Sequence, residues 1–314
     1  MRRAERAFGG YGPSATFRLL LADGRRAFLK GVYPLPEGSP VKWVLDKEER
    51  VFESLGELIS PWAPAYYGAM RDAGWHALLL EDVGPATVPP WSQTKARVAT
   101  QAYAAFHLST LGRRLPRWLP AISSSLLGVR RGRGWERLRG EPPNLERLAR
   151  LAGPRAGQAR RWLDRHLPAL DESARAINET RGPRALLHLD TRSDNIRVRA
   201  NEAVPLRIFD WPFAQAGPPE LDFMPYAQSV TAEGGPDPET LTAWYCEVLP
   251  LRPHVLASAA SHFAGFFAER AWQASPEGLP RLRPWQRQQL KVSLAWAARL
   301  LQLPEPTWLE AVPS

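Results

Sequence analysis

The spacing of apolar residues divides the chain into an N-terminal part with strand-like patterns and a longer part with helix-like patterns. Residues 7–33 predict two strands joined at Asp23-Gly24, a dipeptide typical of hairpin turns. Two short strands, residues 66–70 and 75–80, are predicted around a polar turn. Between these pairs, apolar residues at helical spacing predict one helix within residues 41–58. The N-terminal part is therefore expected to be a small antiparallel β-sheet with one helix.

Helical spacing dominates the rest of the chain. The predicted helices are residues 93–111, 145–151, 159–170, 254–273 and 285–303. One β-hairpin interrupts them, with strands at Ile196–Val198 and Leu206–Phe209 and a polar turn around Asn201. We therefore predict an α+β fold, with a strand-rich N-terminal part and a mainly helical remainder.

The chemistry-bearing residues cluster around this hairpin. Asn195 comes just before its first strand and Asp210 ends its second, so the hairpin brings both to one rim. An amide oxygen and a carboxylate there are ligands that Mg²⁺ takes when substrate phosphates complete its shell. A second carboxylate, Asp190, lies five residues before Asn195 and is preceded by His188. The pattern is thus His-x-Asp-x-x-x-x-Asn, followed by an aspartate on a strand.

This pattern suits phosphoryl transfer, which needs a metal to neutralise phosphate charge, in-line positioning and one group that holds the attacking hydroxyl. Asn195 and Asp210 would hold the metal. Asp190 would accept or orient the hydroxyl proton. His188 is expected to support the loop rather than to take part in the chemistry.

Two stretches, HLDTRSDN at residues 188–195 and FDWPFAQAGPPELD at residues 209–222, resemble the catalytic core of the aminoglycoside phosphotransferase family. Its members are kinases of small-molecule hydroxyls that share the protein-kinase fold. The resemblance implies a bilobal protein-kinase-like fold with two domains: a small N-terminal nucleotide-binding lobe, residues 1–84, and a larger, mainly helical catalytic and substrate-binding lobe, residues 85–314. It also implies ATP, or alternatively GTP, and Mg²⁺ as cofactors, Asp190 as catalytic base, and Asn195 and Asp210 as metal ligands.

Two further positions matter to this resemblance. Asp222 is expected to anchor the catalytic loop by hydrogen bonds, although an acid in the first turn of a helix is also favoured by the helix macrodipole. The family often has glycine directly after the histidine, where this chain has Leu189. Protein kinases place a side chain at that position.

The N-terminal part carries a candidate nucleotide site. A cluster of Gly9, Gly10 and Gly12, followed by Ser14, lies where a kinase nucleotide loop would lie. Glycine lets the backbone approach a phosphate without a Cβ in the way. Lys30, in Ala-Phe-Leu-Lys, resembles the lysine on the next strand of kinases, where it would pair with the α- and β-phosphates.

A carboxylate must hold that lysine in place. Glu48 lies three, four and seven residues before Val51, Phe52 and Leu55, which puts it on the inward face of the predicted helix. We therefore predict Glu48 as the partner of the lysine, with Glu49 as the alternative. The strand at residues 75–80 then runs into Leu-Leu-Leu-Glu-Asp-Val-Gly, which resembles the hinge of these kinases. Backbone groups of Glu81 to Val83 are expected to bind the adenine edge.

Composition and charge add two constraints. The 314 residues, 44% of them hydrophobic, suffice for one large domain or two smaller ones, and a single cysteine, Cys246, excludes an intrachain disulfide. No apolar leader or membrane span is visible, so we expect a cytoplasmic protein without a membrane partner. The net charge is +9, and residues 113–165, with fourteen arginines against four acidic residues, carry about +10, so the rest of the chain is near neutral. This segment suggests a polyanion partner or a solvated face, and the solvated face is the favoured interpretation.

These observations predict ATP- and Mg²⁺-dependent transfer of the γ-phosphate to a hydroxyl of a small molecule. An aminoglycoside, another antibiotic, a sugar or a metabolite is open as the acceptor. Acidic residues that could bind a cationic acceptor are sparse in the second domain; they are Asp237, Glu239, Glu269 and Glu277. Two alternatives stay open: a nucleotide-binding pseudokinase, and a polyanion- or nucleic-acid-binding protein that uses residues 113–165.

Overall fold

The computed structural model describes residues 1–7, 14–34, 40–120, 122 and 133–313, with the side chains of residues 40–43 and 133 left out. The chain forms two compact units. The first consists of Met1–Pro89 and Asp190–Ala214, and the second of Pro90–Leu189 and Gln215–Ser314. The predicted domain boundary after residue 84 stays a prediction. The second segment of the first unit, Asp190–Ala214, contains the predicted hairpin.

The first unit contains a five-stranded antiparallel sheet and one long helix. The strands are β1 (Arg3–Ala7), β2 (Ala15–Leu20), β3 (Arg26–Val32), β4 (Tyr66–Asp72) and β5 (Trp75–Glu81), and the helix is α1 (Pro40–Ile59). The order across the sheet is β1-β2-β3-β5-β4. Strands β2 to β5 and helix α1 confirm the predicted elements. Strand β1 was missed because its side chains are charged or small and almost all exposed, so the edge strand has no apolar pattern.

Helix α1 packs on the sheet through its predicted apolar face. Leu45, Val51, Phe52 and Leu55 are all at most 4% exposed. Leu45 contacts a cluster with Val32 of β3 and Leu78 of β5. Complete burial of such side chains is worth about 1.5–3 kcal/mol each. The inward position of Glu48 follows from this packing.

Four three-residue strands come later in the chain. They are β6 (Ala185–Leu187), β7 (Ile196–Val198), β8 (Leu206–Ile208) and β9 (Gln215–Gly217). Strands β7 and β8 pair antiparallel in the first unit, with Ile196 opposite Ile208, and confirm the predicted hairpin. Strands β6 and β9 pair in the second unit.

The second unit is mainly helical. Its helices in the described part of the chain are α2 (Gln93–Thr110), α3 (Arg133–Gly140), α4 (Pro142–Arg150), α5 (Ala156–Ala176), α6 (Pro219–Ala232), α7 (Pro238–Cys246), α8 (Pro253–Ala268) and α9 (Leu282–Leu300). The predicted helices are confirmed, and so is the α+β class. Helix α6 was missed because it is buried on nearly all sides and therefore has no amphipathic period. No helix in the described part of the chain has the length and apolar character that crossing a bilayer requires.

Candidate active site

Lys30 of β3 lies between two carboxylates in the first unit. Its Nζ donates a hydrogen bond to Glu48 Oε2 of α1 at 2.6 Å and forms an ion pair with Asp210 Oδ1. The backbone N–H of Trp211 donates to the other oxygen of Glu48 at 3.4 Å. Glu48 is 1% exposed, whereas the side chain of Asp210 is 33% exposed. The ammonium therefore joins the sheet, helix α1 and the segment that follows β8.

Electrostatics keep this lysine charged. Burial alone would lower the pKa of Lys30, but the charges of Asp210 and Glu48 and their hydrogen bonds outweigh it and raise that pKa. For Glu48, burial and the charge of Asp210 raise the pKa, and Lys30 opposes this. The result is a fixed positive charge at the inner face of the sheet, which is what binding phosphate oxygens requires.

The predicted partner of Lys30 is the one that the structure places there. Glu49, the alternative, lies on another side of α1, where it is paired with Arg71 and has His76 Nε2 at 3.0 Å. Consecutive residues of an α-helix project about 100° apart, so only one of two neighbouring glutamates can reach β3. The apolar period of α1 was the signal that distinguished them.

Asp190 and Asn195 contact each other within the loop between β6 and β7. The Nδ2 group of Asn195 donates to the carbonyl oxygen of Asp190 at 2.8 Å and to its Oδ2 at 2.9 Å. Arg192 Nε donates to Asp190 Oδ1 at 3.1 Å. The Asp190 carboxylate is thereby fixed by two donors, and its side chain is 23% exposed.

The hairpin places Asn195 and Asp210 at the same end, as predicted. The Phe209 N–H donates to the Asn195 carbonyl at 3.0 Å, next to the pair Ile196–Ile208. Because Nδ2 of Asn195 points to Asp190, its Oδ1 is left without a hydrogen-bond donor among the described residues. One amide oxygen and one carboxylate are hard oxygen donors, and such a pair fits a divalent cation that completes its shell with phosphate oxygens.

Asp222 supports the start of the loop between β6 and β7, within the second unit. Its Oδ2 and Oδ1 accept hydrogen bonds from the backbone N–H groups of His188 and Leu189, both at 2.6 Å. His107 Nε2 lies 3.0 Å from Oδ2. Burial alone would raise the pKa of Asp222, but the His107 hydrogen bond, the charges of the two histidines and the His188 N–H outweigh it and lower that pKa. Asp222 also lies in the first turn of α6, so both expectations for it describe its position.

Leu189 has a backbone conformation that favours glycine. Its φ is 65°, in the left-handed region, where an L-residue with a Cβ costs about 1 kcal/mol or more. Glycine, which the resemblance leads one to expect at this position, adopts the conformation without that cost. The hydrogen bond from Leu189 N–H to Asp222 and the burial of the leucine side chain hold the conformation in this chain.

At the predicted hinge, only part of the backbone is available. Glu81 N–H donates to the Ala65 carbonyl at 2.8 Å, and the Val83 carbonyl accepts from Arg199 Nη2 at 2.6 Å. The Val83 N–H, in contrast, has no acceptor among the described residues. Of these hinge groups, the Val83 N–H is therefore the one open to an acceptor nitrogen of a purine base.

Three arginines that the sequence analysis missed converge on this hinge. Arg18 Nη2 and Arg197 Nε donate to the Gly84 carbonyl at 3.0 and 3.1 Å, beside the Arg199 bond to Val83. The Arg197 guanidinium also lies over the ring of Phe209, 4.8 Å from its centroid. Arg197 on β7 and Arg199 directly after it alternate with Val198, which was a signal that one side of this extended segment carries positive charge.

The remaining predicted positions are less informative. Gly9, Gly10 and Gly12 lie outside the described residues, and Ser14 is half-buried just before β2. In the arginine-rich segment, several arginines pair with acidic residues of the second unit. These pairs are Arg137–Glu269, Arg139–Asp171, Arg150–Glu146, Arg155–Glu310 and Arg160–Asp164. Such pairing is typical of a solvated surface.

The structure is similar to known kinases over most of its length. An aminoglycoside phosphotransferase from Alicyclobacillus acidocaldarius has a TM-score of 0.60 at 15% identity, covering 95% of this chain and 91% of that one. An ethanolamine kinase from Plasmodium vivax has a TM-score of 0.57 at 11% identity, covering 95% and 83%. An amicoumacin kinase in complex with AMP-PNP and Ca²⁺ has a TM-score of 0.56 at 11% identity, covering 92% and 87%. The fold is thus protein-kinase-like, as predicted.

No curated protein matches the chain at a significant level of sequence similarity. The model of the phosphotransferase enzyme family, however, matches residues 14–285. The chain belongs to this family, which confirms the resemblance seen in the sequence. It is therefore a small-molecule kinase, an enzyme that transfers phosphate to hydroxyl groups.

Proposed function

We propose that this protein uses ATP and Mg²⁺ to phosphorylate a hydroxyl group of a small molecule in the cytoplasm. The observation that carries the proposal is the set of contacts around Asp210. This residue is paired with Lys30, which Glu48 holds, and it lies at the same hairpin end as Asn195. The first unit thus contains the candidate base Asp190, the candidate metal ligands Asn195 and Asp210, and the candidate phosphate-binding cation Lys30.

Each group has a distinct task in this mechanism. Lys30 would bind phosphate oxygens of the nucleotide, and Asn195 and Asp210 would hold the metal. Mg²⁺ supplies neutralisation of the phosphate charge. Arg192 orients Asp190. Asp190 accepts the proton of the acceptor hydroxyl while the hydroxyl oxygen forms a bond to the γ-phosphorus. The bond between that phosphorus and the bridging oxygen breaks, and ADP leaves with the electron pair.

The nucleotide site is tested by thermal unfolding with ATP and Mg²⁺, with ATP and EDTA, and without ligand. At a ligand concentration of one hundred times Kd, we expect stabilisation of about 2.7 kcal/mol for the wild type. The metal-dependent part should disappear in Asp210→Asn, which removes a ligand charge. Asp72→Asn, an exposed aspartate in the same unit, is the matched control and should respond like the wild type. No stabilisation with millimolar ATP or GTP would refute the proposal.

The acceptor is proposed to be neutral or anionic rather than polycationic. Of the four acidic residues considered above, Asp237 caps helix α7, Glu239 pairs with Arg299, and Glu269 pairs with Arg137. These three carboxylates therefore already have partners within the chain. Similar structures come from proteins named for an aminoglycoside, amicoumacin and ethanolamine, which differ widely as acceptors.

A panel of hydroxyl compounds with labelled ATP tests both the acceptor class and the base. We expect phosphate transfer to uncharged or acidic compounds and none to polycationic aminoglycosides. With the acceptor found, Asp190→Asn should lower turnover by at least about 100-fold, the usual minimum for loss of general base catalysis. Its stabilisation by ATP and Mg²⁺ should stay at the wild-type level, because Asp190 is not a nucleotide ligand. Nucleotide binding without transfer to any compound would favour a pseudokinase.

A further inference from the structure

A second polar cluster joins α1 to the sheet, apart from the Lys30 site. It consists of Asp46 and Glu49 on α1, Arg71 on β4 and His76 on β5, and we name it the α1 clamp. Arg71 Nη2 lies 2.8 Å from Asp46 Oδ1 and is also paired with Glu49. His76 Nδ1 lies 3.3 Å from Asp46 Oδ1, and its Nε2 lies 3.0 Å from Glu49 Oε2. Each α1 carboxylate therefore contacts both a guanidinium and an imidazole.

The α1 clamp and Lys30 lie on the same face of the sheet. Arg71 is opposite His76 in the β4–β5 pair, and His76 is opposite Val32 in the β3–β5 pair. Side chains two residues apart on a strand share a face, so Val32 and His76 are on the face of Lys30. Helix α1 thus meets this face through two polar attachments, one at Lys30 and one at the clamp.

The inner part of the clamp is buried. The side chains of His76 and Glu49 are 8% and 12% exposed, whereas Asp46 and Arg71 are about half exposed. A buried carboxylate that loses its cation is strongly destabilised. Asp46, Glu49 and His76 are close enough to bind a metal ion, but Arg71 already lies against both carboxylates. The cation of this cluster is therefore the arginine.

The clamp constrains the rotation of α1 in a way that its apolar contacts do not. Hydrophobic contacts are non-directional, whereas Glu49 must point to Arg71 to keep its ion pair and to His76 to keep that contact. Glu48 is the next residue, about 100° around the helix. A rotation that withdraws Glu49 from the clamp also withdraws Glu48 from Lys30.

We infer that the α1 clamp positions Glu48 on Lys30 and so sets the ammonium for the nucleotide phosphates. Arg71 and His76 are then positioning residues of the kinase, although neither contacts Lys30. This inference rests on the proposed nucleotide site. It assigns the N-terminal sheet a second group of residues on which phosphate binding depends.

The test compares the affinities of Mg·ATP and adenosine by titration calorimetry in wild type and Arg71→Met. We expect Mg·ATP to bind about 10-fold more weakly in the variant, since a misplaced Lys30 loses about 1.4 kcal/mol of phosphate contact. Adenosine, which has no phosphate, should bind as in the wild type. Arg71→Lys should restore most of the ATP affinity. Arg25→Met, which removes the exposed Arg25–Asp23 pair of the same unit, is the matched control and should have no effect.

A double-mutant cycle shows whether the clamp acts through Glu48. In a Glu48→Gln background, Arg71→Met should cause no further loss of ATP affinity. Additive losses, an equal loss for adenosine, or an unchanged ATP affinity in the folded variant would each overturn the inference. If Arg71→Met does not fold, Asp46→Asn, which removes one half-exposed charge of the clamp, takes its place with the same expectations.

The outcome for Lys30→Met separates this inference from the proposed function. If that variant binds Mg·ATP as tightly as the wild type, Lys30 has no role in phosphate binding and the proposed nucleotide site is wrong. If Lys30→Met weakens ATP binding and Arg71→Met does not, the nucleotide site holds and only the positioning role is refuted.

Discussion

Single residues of the site are held by donors that stabilise a buried negative charge. Asp222 shows this most clearly, because it is fully buried and accepts two backbone N–H groups as well as a contact from His107. A carboxylate with several donors stays ionised in the interior, where it would otherwise take up a proton. The conformation of residues 188 and 189 therefore depends on a charge more than 30 positions away.

We predict that Asp222→Asn lowers the free energy of unfolding by about 3 kcal/mol at pH 7. An asparagine side chain has one acceptor oxygen and one donor NH₂ group. Its NH₂ group would face one of the two backbone N–H groups, which would then lose its acceptor. Urea unfolding measures the loss. Asp237→Asn, at the exposed cap of α7, is the control and should be nearly neutral, because asparagine and aspartate cap a helix about equally well.

The same variant carries a pH dependence of known sign. The pKa of Asp222 is lowered in the folded state, so its contribution is complete above the unfolded value of 3.8 and is lost as the pH falls through the folded value. The difference in stability between wild type and Asp222→Asn should therefore shrink below about pH 4. A difference that stays constant down to pH 3 would contradict this account.

The sequence was informative about residues whose chemistry follows from local spacing. Asp190, Asn195 and Asp210 could be placed because a short hairpin fixes where its ends meet. The choice of Glu48 over Glu49 followed from the helical period. The left-handed backbone of Leu189 and the arginines at the Gly84 carbonyl could not be predicted, since both depend on contacts between segments distant in the sequence.

Between elements, glycine allows helices α3 and α8 to approach closely. A Cβ added to Gly134 of α3 would overlap the backbone of Gly265 in α8, and one added to Gly265 would lie 2.7 Å from the ring of Trp135. Trp135 is fully buried and donates from Nε1 to the Ser261 carbonyl at 2.7 Å. The two helices therefore meet backbone against backbone at this crossing.

We predict that Gly134→Ala destabilises the protein by about 2 kcal/mol or more, because the close helix contact must open to admit a methyl group. The control is Gly140→Ala at the end of the same helix, where a Cβ meets nothing within 4 Å. That change should be neutral or stabilising by up to about 1 kcal/mol. Chemical unfolding measures the change in the free energy of unfolding for both variants. Equal changes would show that helix propensity alone, and not the close helix contact, determines the effect.

Elements were predicted well where one face is apolar and the other polar. Helices α1, α5 and α9 have this property and were placed within a few residues of their observed bounds. Strand β1 is exposed on nearly every residue and helix α6 is buried on nearly every residue. Neither has a contrast between faces, so periodicity could not reveal them.

For the molecule as a whole, acid stability should depend on one histidine in the helical core. His262 of α8 is 3% exposed, and its Nε2 has no hydrogen-bond partner among the described residues. Burial, with a smaller effect of Arg270, lowers the pKa of His262 to about 4. Between pH 6.5 and about 4 the unfolded chain binds a proton that the folded protein does not, so stability falls as the pH falls.

We predict that this titration lowers the free energy of unfolding by about 3 kcal/mol between pH 6.5 and 4. In His262→Leu this pH-dependent loss should be absent. Urea unfolding of wild type and variant at several pH values measures it. His254→Leu is the matched control, since His254 is exposed near the start of the same helix. A wild-type pH profile that is unchanged in His262→Leu would show that the ring is solvated.

The division of the first unit between two segments also bears on the synthesis of the protein. The sheet and helix α1 are complete once residue 89 has been made, and Lys30 can then pair with Glu48. Asp210 follows about 120 residues later, which is on the order of 10 s at ribosomal rates of 5–20 residues per second. A chain terminated before that point thus has the lysine and its glutamate but not Asp210. With Asp210 in the proposed role of metal ligand, we expect no metal-bound nucleotide on the nascent chain before helices α2 to α5 have been made.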